Sequence, residues 1–148
     1  MLVRECMTKK VELANPNMSL HEVAKKMRDG DFGVLPVEEH ERLIGMITDR
    51  DIVTRRLTGS TGNPRDTKVR EVMSENVYYC YDDEDASHIA MNMGENQIRR
   101  LPVLNREKRL VGILSLGDLA LNKSRKVDDA LRDVSRHDHK DMRIHYHL

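Results

Sequence analysis

Two segments of the sequence place a hydroxyl residue three positions before an aspartate. Thr48 precedes Asp51 and Ser115 precedes Asp118, and each hydroxyl follows a glycine and an apolar run. An aspartate carboxylate can accept two hydrogen bonds from a vicinal diol, such as the 2′ and 3′ hydroxyls of a ribose. A hydroxyl in the first turn of a helix can donate to a phosphate or ribose oxygen, and the unpaired N–H groups there favour an anion. The two segments therefore predict a pair of sites for a ligand that contains a ribose.

The same spacing also has a purely structural explanation. Ser/Thr-x-x-Asp/Glu ahead of an apolar run is the pattern of a helix capping box, and Ser19 and Glu22 show it where no ligand is expected. Its recurrence behind Gly45 and again behind Gly112 favours a binding role. Capping and binding are compatible, because a capped helix still offers N–H groups to an anion. Four apolar residues on predicted strands are expected to enclose a planar base: Val11, Val37, Val77 and Val103.

The chain contains an internal repeat that brings both segments to the same place in each copy. Val3–Met7 returns 66 residues later as Val69–Met73, and Leu35–Val37 returns at the same interval as Leu101–Val103. The glycines ahead of the two hydroxyls are 67 residues apart, so the second copy carries one additional residue. That residue falls in the charged stretch 105–109, which is predicted to be a hairpin loop, where insertions are tolerated.

Each copy has the pattern strand, helix, strand, strand, helix. In the first copy these are predicted at Val11–Leu13, at a helix capped by Ser19 and ended by Gly30, at Gly33–Val37, at Leu43–Ile47 and from about Asp49 to Leu57. The buried stripe of the first helix is expected to comprise Leu20, Val23, Ala24 and Met27. In the second copy the elements are predicted at Val77–Cys80, at a helix capped by Asp85, at Arg100–Leu104, at Leu110–Leu114 and from Leu116 to Leu121. Residues 126–135 predict an additional amphipathic helix, followed by a tail.

Composition argues against several classes of protein. The 148 residues carry a formal net charge of +0. A chain without an excess of basic residues is not expected to bind nucleic acid. No apolar run approaches the ~20 residues that cross a bilayer, and the N-terminus does not resemble a signal peptide, so a cytoplasmic protein is expected. Cys6 and Cys80 do not have the spacing of a metal site, and both are expected to be reduced and partly buried. No nucleophile motif is present, so an enzyme is not expected.

The order of elements, the repeated Leu-Pro-Val and the repeated Gly-h-h-Thr/Ser-x-x-Asp motif (h for apolar) together resemble a tandem pair of CBS domains, often called a Bateman module. The resemblance covers roughly residues 1–122. It implies an α+β fold in which two βαββα repeats pack through their sheets around a pseudo-two-fold axis and create two clefts. The corresponding domain bounds are 1–57 for the first CBS domain, 58–66 for a linker, 67–122 for the second CBS domain, and 123–148 for a C-terminal helix and tail.

The resemblance also implies a function and assigns roles to particular residues. Members of the family often bind AMP, ATP, NAD(H) or S-adenosylmethionine as regulatory ligands between the repeats, with no cofactor required. By position, Asp51 and Asp118 would bind ribose, and Thr48 and Ser115 would lie near ribose or phosphate. In several members basic residues shortly before the conserved proline contact phosphates, and here those residues are Arg99 and Arg100. The first copy has Gly33 and Val34 in those places, which predicts one strong site and one weak or empty site.

Three readings of the function remain open from the sequence. The first is a non-catalytic regulatory module that forms a homodimer and signals to a separate effector protein. The second is a structural or interaction domain that mediates dimerisation and binds no ligand. The third is a metal-binding protein, because the tail contains four histidines that could bind zinc or nickel: His137, His139, His145 and His147. A tail provides no preformed geometry, so adventitious chelation is favoured and no metal site is predicted.

Overall fold

The computed structural model describes residues 1–59 and 62–120, which belong to two compact units. One unit is formed by Glu12–Val77, and the other combines Met1–Val11 with residues 78–120. Each unit therefore contains the body of one repeat together with the short segment that opens the other repeat. The predicted helix at 126–135, the histidine tail and the last predicted helical residue, Leu121, lie outside the described residues.

The long helix and the two hairpin strands of each copy follow the predicted order. The elements in chain order are α1 (Val3–Cys6), α2 (Leu20–Gly30), β1 (Val34–Glu39), β2 (Arg42–Thr48), α3 (Asp49–Asp51), a π-helical segment (Ile52–Arg56), α4 (Leu57–Gly59), a 3₁₀ turn (Val69–Glu71), β3 (Cys80–Tyr81), α5 (Ala86–Glu95), β4 (Arg100–Leu104), β5 (Leu110–Ser115) and α6 (Leu116–Ala120). The mixed α+β fold with two repeats, which the sequence predicted, is confirmed.

The two long helices begin at the predicted caps. The Ser19 hydroxyl accepts from the Glu22 N–H at 3.1 Å, and the Asp85 carboxylate accepts from the Ser87 N–H at 3.0 Å. These bonds satisfy N–H groups that have no partner within the helix. The predicted stripe of α2 is buried except for Ala24, which is exposed, because this small side chain lies at the edge of the stripe.

Two antiparallel hairpins form the centre of the units. In the first, β1 pairs with β2 and Val34 lies opposite Thr48; in the second, β4 pairs with β5 and Arg100 lies opposite Ser115. Both hairpins have a register irregularity after the valine of Leu-Pro-Val, at the same place in each copy. Because register decides which side chains share a face, the matching registers of the two hairpins place the two hydroxyl residues in equivalent positions.

The first strand of each copy is much shorter than predicted. The prediction of a strand at Val11–Leu13 is wrong: only Ala14 forms a bridge, which is parallel to Val37. Pro16 follows closely and has no N–H to extend such a pairing. In the second copy β3 contains only Cys80 and Tyr81 and runs parallel to β4.

Each unit has its own hydrophobic core. In the unit formed by Glu12–Val77 the core includes Leu20, Leu35, Ile47 and Val69. In the other unit Val3 packs with the buried side of α5 and with residues of β4, β5 and α6, such as Leu101 and Leu114. The opening segment of the chain is therefore a core component of the unit that contains the second repeat.

Candidate functional site

The first hydroxyl–aspartate junction connects β2 to α3. The Asp51 N–H donates to the Thr48 hydroxyl at 3.0 Å, and the Thr48 N–H donates to Asp51 Oδ2 at 3.1 Å. The capping box that the spacing predicted is thus formed in full. The backbone bond uses only Oδ2, and Oδ1 lies 3.8 Å from Nε of Arg55, one helical turn further on. The Asp51 side chain is 15% exposed, so the carboxylate is held in a fixed position at the edge of the unit.

The second junction, between β5 and α6, repeats this geometry. The Asp118 N–H donates to the Ser115 hydroxyl at 3.0 Å, and the Ser115 N–H donates to Asp118 Oδ2 at 3.1 Å. Here the carboxylate receives an additional, long hydrogen bond from the Thr8 hydroxyl, at 3.4 Å to Oδ2 and 3.5 Å to Oδ1. Side chains from two distant parts of the sequence, Thr8 and the Ser115–Asp118 pair, therefore meet at this junction.

The segments that open the two repeats lie directly against the strands that carry the junctions. Thr8 exchanges two backbone hydrogen bonds with Ile113, of 2.8 and 2.9 Å, and Ser74 exchanges two with Met46, of 2.8 and 2.9 Å. Ser74 lies 66 residues after Thr8 and is its counterpart in the repeat. Each junction is therefore flanked by a second hydroxyl residue that comes from the opposite repeat.

Glycines make this close approach feasible. A Cβ atom at Gly45 would lie 2.6 Å from the Ser74 carbonyl oxygen, and one at Gly112 would lie 2.8 Å from the Thr8 carbonyl oxygen. Real Cβ atoms do not approach so closely, so any side chain would push the flanking segment away. The glycine of the Gly-h-h-Thr/Ser-x-x-Asp motif thus allows Thr8 and Ser74 to lie against the strands that carry the junctions.

Three residues at the junctions were not predicted from the sequence: Thr8, Ser74 and Arg55. Thr8 could have been found by extending the repeat by one residue, because Met7-Thr8 matches Met73-Ser74. Arg55 has no such signal, since the residue 67 positions later is Asn122. Its Nη1 donates to the carbonyl oxygens of Val72 and Met73, at 3.0 Å each, which attaches the helical segment to the strand-flanking segment.

The arginines expected to bind phosphate lie at the start of β4, and both are exposed. Arg100 is the cross-strand partner of Ser115, so their side chains leave the hairpin on the same face. The Arg99 carbonyl oxygen accepts from the Leu116 N–H at 3.1 Å, which fixes the start of α6. In the first copy Asp49 donates its N–H to the Gly33 carbonyl oxygen at 2.9 Å in the equivalent way.

The four valines expected to enclose a base occupy different environments. Val37 and Val103 have no exposed surface and are packed inside the cores of their units. Val77 is buried, with 4% of its surface exposed, and Val11 is half-buried. Of the four, Val11 is the one with a substantial accessible surface.

Both cysteines are free, and burial raises the pKa of each thiol. For Cys6 the negative charge of Asp118 adds to the effect of burial, which places Cys6 within the electrostatic range of the second junction. For Cys80, a core residue, burial is the largest cause and nearby Glu84 adds to it. Raised pKa values keep both thiols protonated and make them poor nucleophiles and poor metal ligands at neutral pH.

No three His, Cys, Asp or Glu side chains in residues 1–59 and 62–120 cluster in a way that could hold a metal ion. None of the helices within these residues has the length and apolar character needed to span a bilayer. A surface cavity of about 470 Å³ lies beside α2, between Lys25 and Phe32, but none of the predicted site residues lines it.

The fold and the doubled junction define a class of protein, which comparison with known proteins identifies. The CBS domain family model matches residues 3–57 and again residues 69–125. The chain belongs to the CBS domain family and contains a tandem pair of these domains.

Individual proteins of known sequence or structure are similar over most of their length. The CBS domain-containing protein YhcV of Bacillus subtilis is 39% identical over 138 residues, which is 90% of this chain and 94% of YhcV. The crystal structure of the CBS domain pair of protein MJ0100, in complex with 5′-methylthioadenosine and S-adenosyl-L-methionine, has a TM-score of 0.69 at 29% identity and covers 84% of this chain and 100% of that chain. Hypoxic Response Protein I, crystallised with two coordinated zinc ions, has a TM-score of 0.72 at 32% identity and covers 82% of this chain and 98% of that chain.

Proposed function

We propose that this chain is a non-catalytic regulatory module that binds an adenosyl ligand at its hydroxyl–aspartate junctions. The observation that carries the proposal is the repeated placement of a fixed carboxylate, whose Oδ2 accepts from the N–H of the hydroxyl residue, at the end of a strand. In this arrangement the carboxylates of Asp51 and Asp118 are the groups that would accept from a ribose diol. The binding of two adenosyl compounds by the CBS pair of MJ0100 supports the same class of ligand.

The candidate ligands are AMP, ATP, NAD(H) and S-adenosylmethionine, which share an adenosine. At the second junction Arg100 leaves the hairpin on the same face as Ser115, which suits a contact with a phosphate or carboxylate of the ligand. Thr48 and Ser115 would lie near the ribose or phosphate, and Thr8 and Ser74 would flank the same ligands. Val11 would contact the base more readily than the core residues Val37 and Val103, whose surfaces are fully occupied by packing.

Regulation would follow from a difference in ligand affinity between conformations of the module. A ligand can shift such an equilibrium only by the difference between its affinities for the two states. The module would report ligand level, and so the energy or methylation state of the cytoplasm, to a separate effector protein, and it would do so as a homodimer. These are expectations that the family resemblance and the doubled junction support.

A second candidate function is an interaction domain that contacts another copy of the chain and needs no ligand. The side chains of Val53 and Leu57 are 56% and 74% exposed and lie one helical turn apart after α3. Two large apolar residues on one exposed face favour a contact with another apolar surface. This function does not exclude the first, because a homodimer can also bind ligands.

The test is titration calorimetry of the purified chain, after denaturation and mass spectrometry of a sample have shown that no ligand is retained. Adenosine, AMP, ATP, NADH and S-adenosylmethionine are titrated separately. At least one of them is expected to bind with a defined stoichiometry. If none binds to ligand-free protein that sedimentation shows to be a dimer, the adenosyl proposal is contradicted and the interaction domain is supported.

A further inference from the structure

We infer that Arg55 supplies the phosphate contact of the first junction, so that this junction prefers adenosine phosphates to uncharged adenosyl compounds. The inference rests on the proposed function and names the ligand class for one of the two junctions. Arg55 would also supply the cation that the first copy lacks at the positions matching Arg99 and Arg100.

The guanidinium of Arg55 is anchored before any ligand arrives. Nη1 donates to the carbonyl oxygens of Val72 and Met73, at 3.0 Å each, while the side chain stays 49% exposed. An anchored side chain loses less conformational freedom on binding than a mobile one. The charge is therefore presented at the protein surface in a defined orientation.

The remaining edge of the guanidinium matches the geometry of a phosphate. Nε lies 3.8 Å from Asp51 Oδ1, which is longer than a hydrogen bond, and no residue in the described part of the chain accepts a hydrogen bond from Nη2. The N–H groups of Nε and Nη2 point in parallel and can donate to two oxygens of one phosphate. The carboxylate that would take the diol and the cation that would take the phosphate are thus neighbours, as a ribose 5′-phosphate requires.

The place where the second copy has arginines is unsuited to an anion in the first copy. Gly33 and Val34 stand there, and a Cβ at Gly33 would lie 2.7 Å from the carboxylate of Asp49. A phosphate at that position would meet a negative charge instead of the Arg99 and Arg100 of the second copy. The helical segment after Asp51 is the side of the junction that offers a cation.

The sequence itself supplies the variant for a test. The counterpart of Arg55 in the second copy is Asn122, so Arg55→Asn replaces the residue by the one that the repeat uses. Both proteins of the comparison carry Asp118→Asn, which weakens the second junction, and the wild-type chain is titrated alongside them. AMP and adenosine are titrated into this background with and without Arg55→Asn, and the ratio of their affinities is measured at low and at moderate salt.

Arg55→Asn is expected to weaken AMP binding at least about tenfold, because a charged hydrogen bond is lost, and to change adenosine binding less than about twofold. The AMP preference should fall with salt in the parent and not in the variant. Arg55→Lys keeps the charge without the paired donors and is expected to retain part of the preference. Adenosine affinity and the denaturation midpoint show whether each variant is folded.

Four other results have distinct meanings. Equal weakening of AMP and adenosine would mean that Arg55 only positions Asp51 and the segment before Ser74, and would overturn the inference. An unchanged AMP affinity would overturn it as well. Binding by the wild-type chain but none by the Asp118→Asn parent would show that the first junction is not a site, which also overturns the inference but leaves the proposed function intact. If neither compound nor any other adenosyl ligand binds the wild-type chain, the proposed function fails and the inference fails with it.

Discussion

Asparagine in place of Asp118 is expected to weaken adenosine binding at the second junction roughly 10- to 150-fold. A hydrogen bond to a charged group contributes about 1.5–3 kcal/mol, and about 1.4 kcal/mol corresponds to a factor of ten in affinity. The amide oxygen of asparagine can still accept from the Ser115 N–H, now 3.1 Å from Oδ2, so the cap of α6 is largely kept. Titration calorimetry should therefore show weaker binding at the second junction, with binding at the first junction unchanged.

Ser19→Ala is the matched control for this variant. It removes a helix cap of the same kind, because the Ser19 hydroxyl accepts from the Glu22 N–H. The helix that Ser19 caps, α2, carries neither junction. It should lower the free energy of unfolding by about 0.5–2 kcal/mol and leave adenosine binding unchanged. If Ser19→Ala weakened binding as much as Asp118→Asn does, the aspartate would be acting through stability alone, as the capping explanation holds.

Alanine in place of Gly112 is expected to lower the free energy of unfolding by about 1–3 kcal/mol, the usual cost of overpacking. The new Cβ would lie 2.7 Å from Sδ of Met7 and 2.8 Å from the Thr8 carbonyl oxygen. Thr8 cannot move away without weakening its backbone bonds to Ile113, of 2.8 and 2.9 Å. The measurement is the denaturant midpoint of the variant, at constant slope, compared with the wild-type chain.

Gly117→Ala, five residues further on, is the control. A Cβ there would have Ser115 Oγ as its nearest neighbour, at 3.6 Å, which is an ordinary contact. Since Gly117 is an exposed residue of α6, alanine is expected to be neutral or to add up to about 1 kcal/mol through its helix propensity. Equal destabilisation by the two substitutions would contradict the view that Gly112 is needed for the close approach of Thr8.

The features that the sequence predicted well are those that local chemistry determines. The caps at Ser19 and Asp85, the two hairpins and the capping box at each junction all depend on residues only a few positions apart. Side-chain period and cap spacing act over that range, so a single sequence is sufficient to find them. Because each motif occurs once in each copy of the repeat, the motifs together indicate the family more specifically than one copy would.

The features that the sequence did not predict depend on contacts between distant segments. The match of Met7-Thr8 to Met73-Ser74 makes Thr8 part of the repeat, but it does not indicate that Thr8 would contact Asp118, 110 positions further along the chain. The attachment of Arg55 to Val72 and Met73 likewise depends on how the chain returns after the linker. The strand expected at Val11–Leu13 has strand-like residues, but its length is set by its neighbour β1 and by Pro16, and only Ala14 pairs.

The π-helical segment Ile52–Arg56 is a further case. Its residues are compatible with an ordinary helix, and the sequence predicted one from about Asp49 to Leu57. In the structure Arg56 is 5% exposed and donates through Nε to the Thr67 hydroxyl at 3.1 Å, while the preceding Arg55 faces the junction. Thr67, Val72 and Met73 accept from these two guanidinium groups and lie 11 to 18 positions further along the chain, so no local pattern indicates these contacts.

Everything proposed for the junctions depends on a carboxylate that binds the 2′ and 3′ hydroxyls of a ribose. The most direct measurement is a comparison of adenosine with 2′,3′-dideoxyadenosine, titrated into the wild-type chain and into the double variant Asp51→Asn, Asp118→Asn. The wild-type chain is expected to prefer adenosine at least about tenfold, and the double variant is expected to have lost that preference. If the dideoxy compound binds the wild-type chain as tightly as adenosine does, neither aspartate binds a diol and the account of the site is wrong.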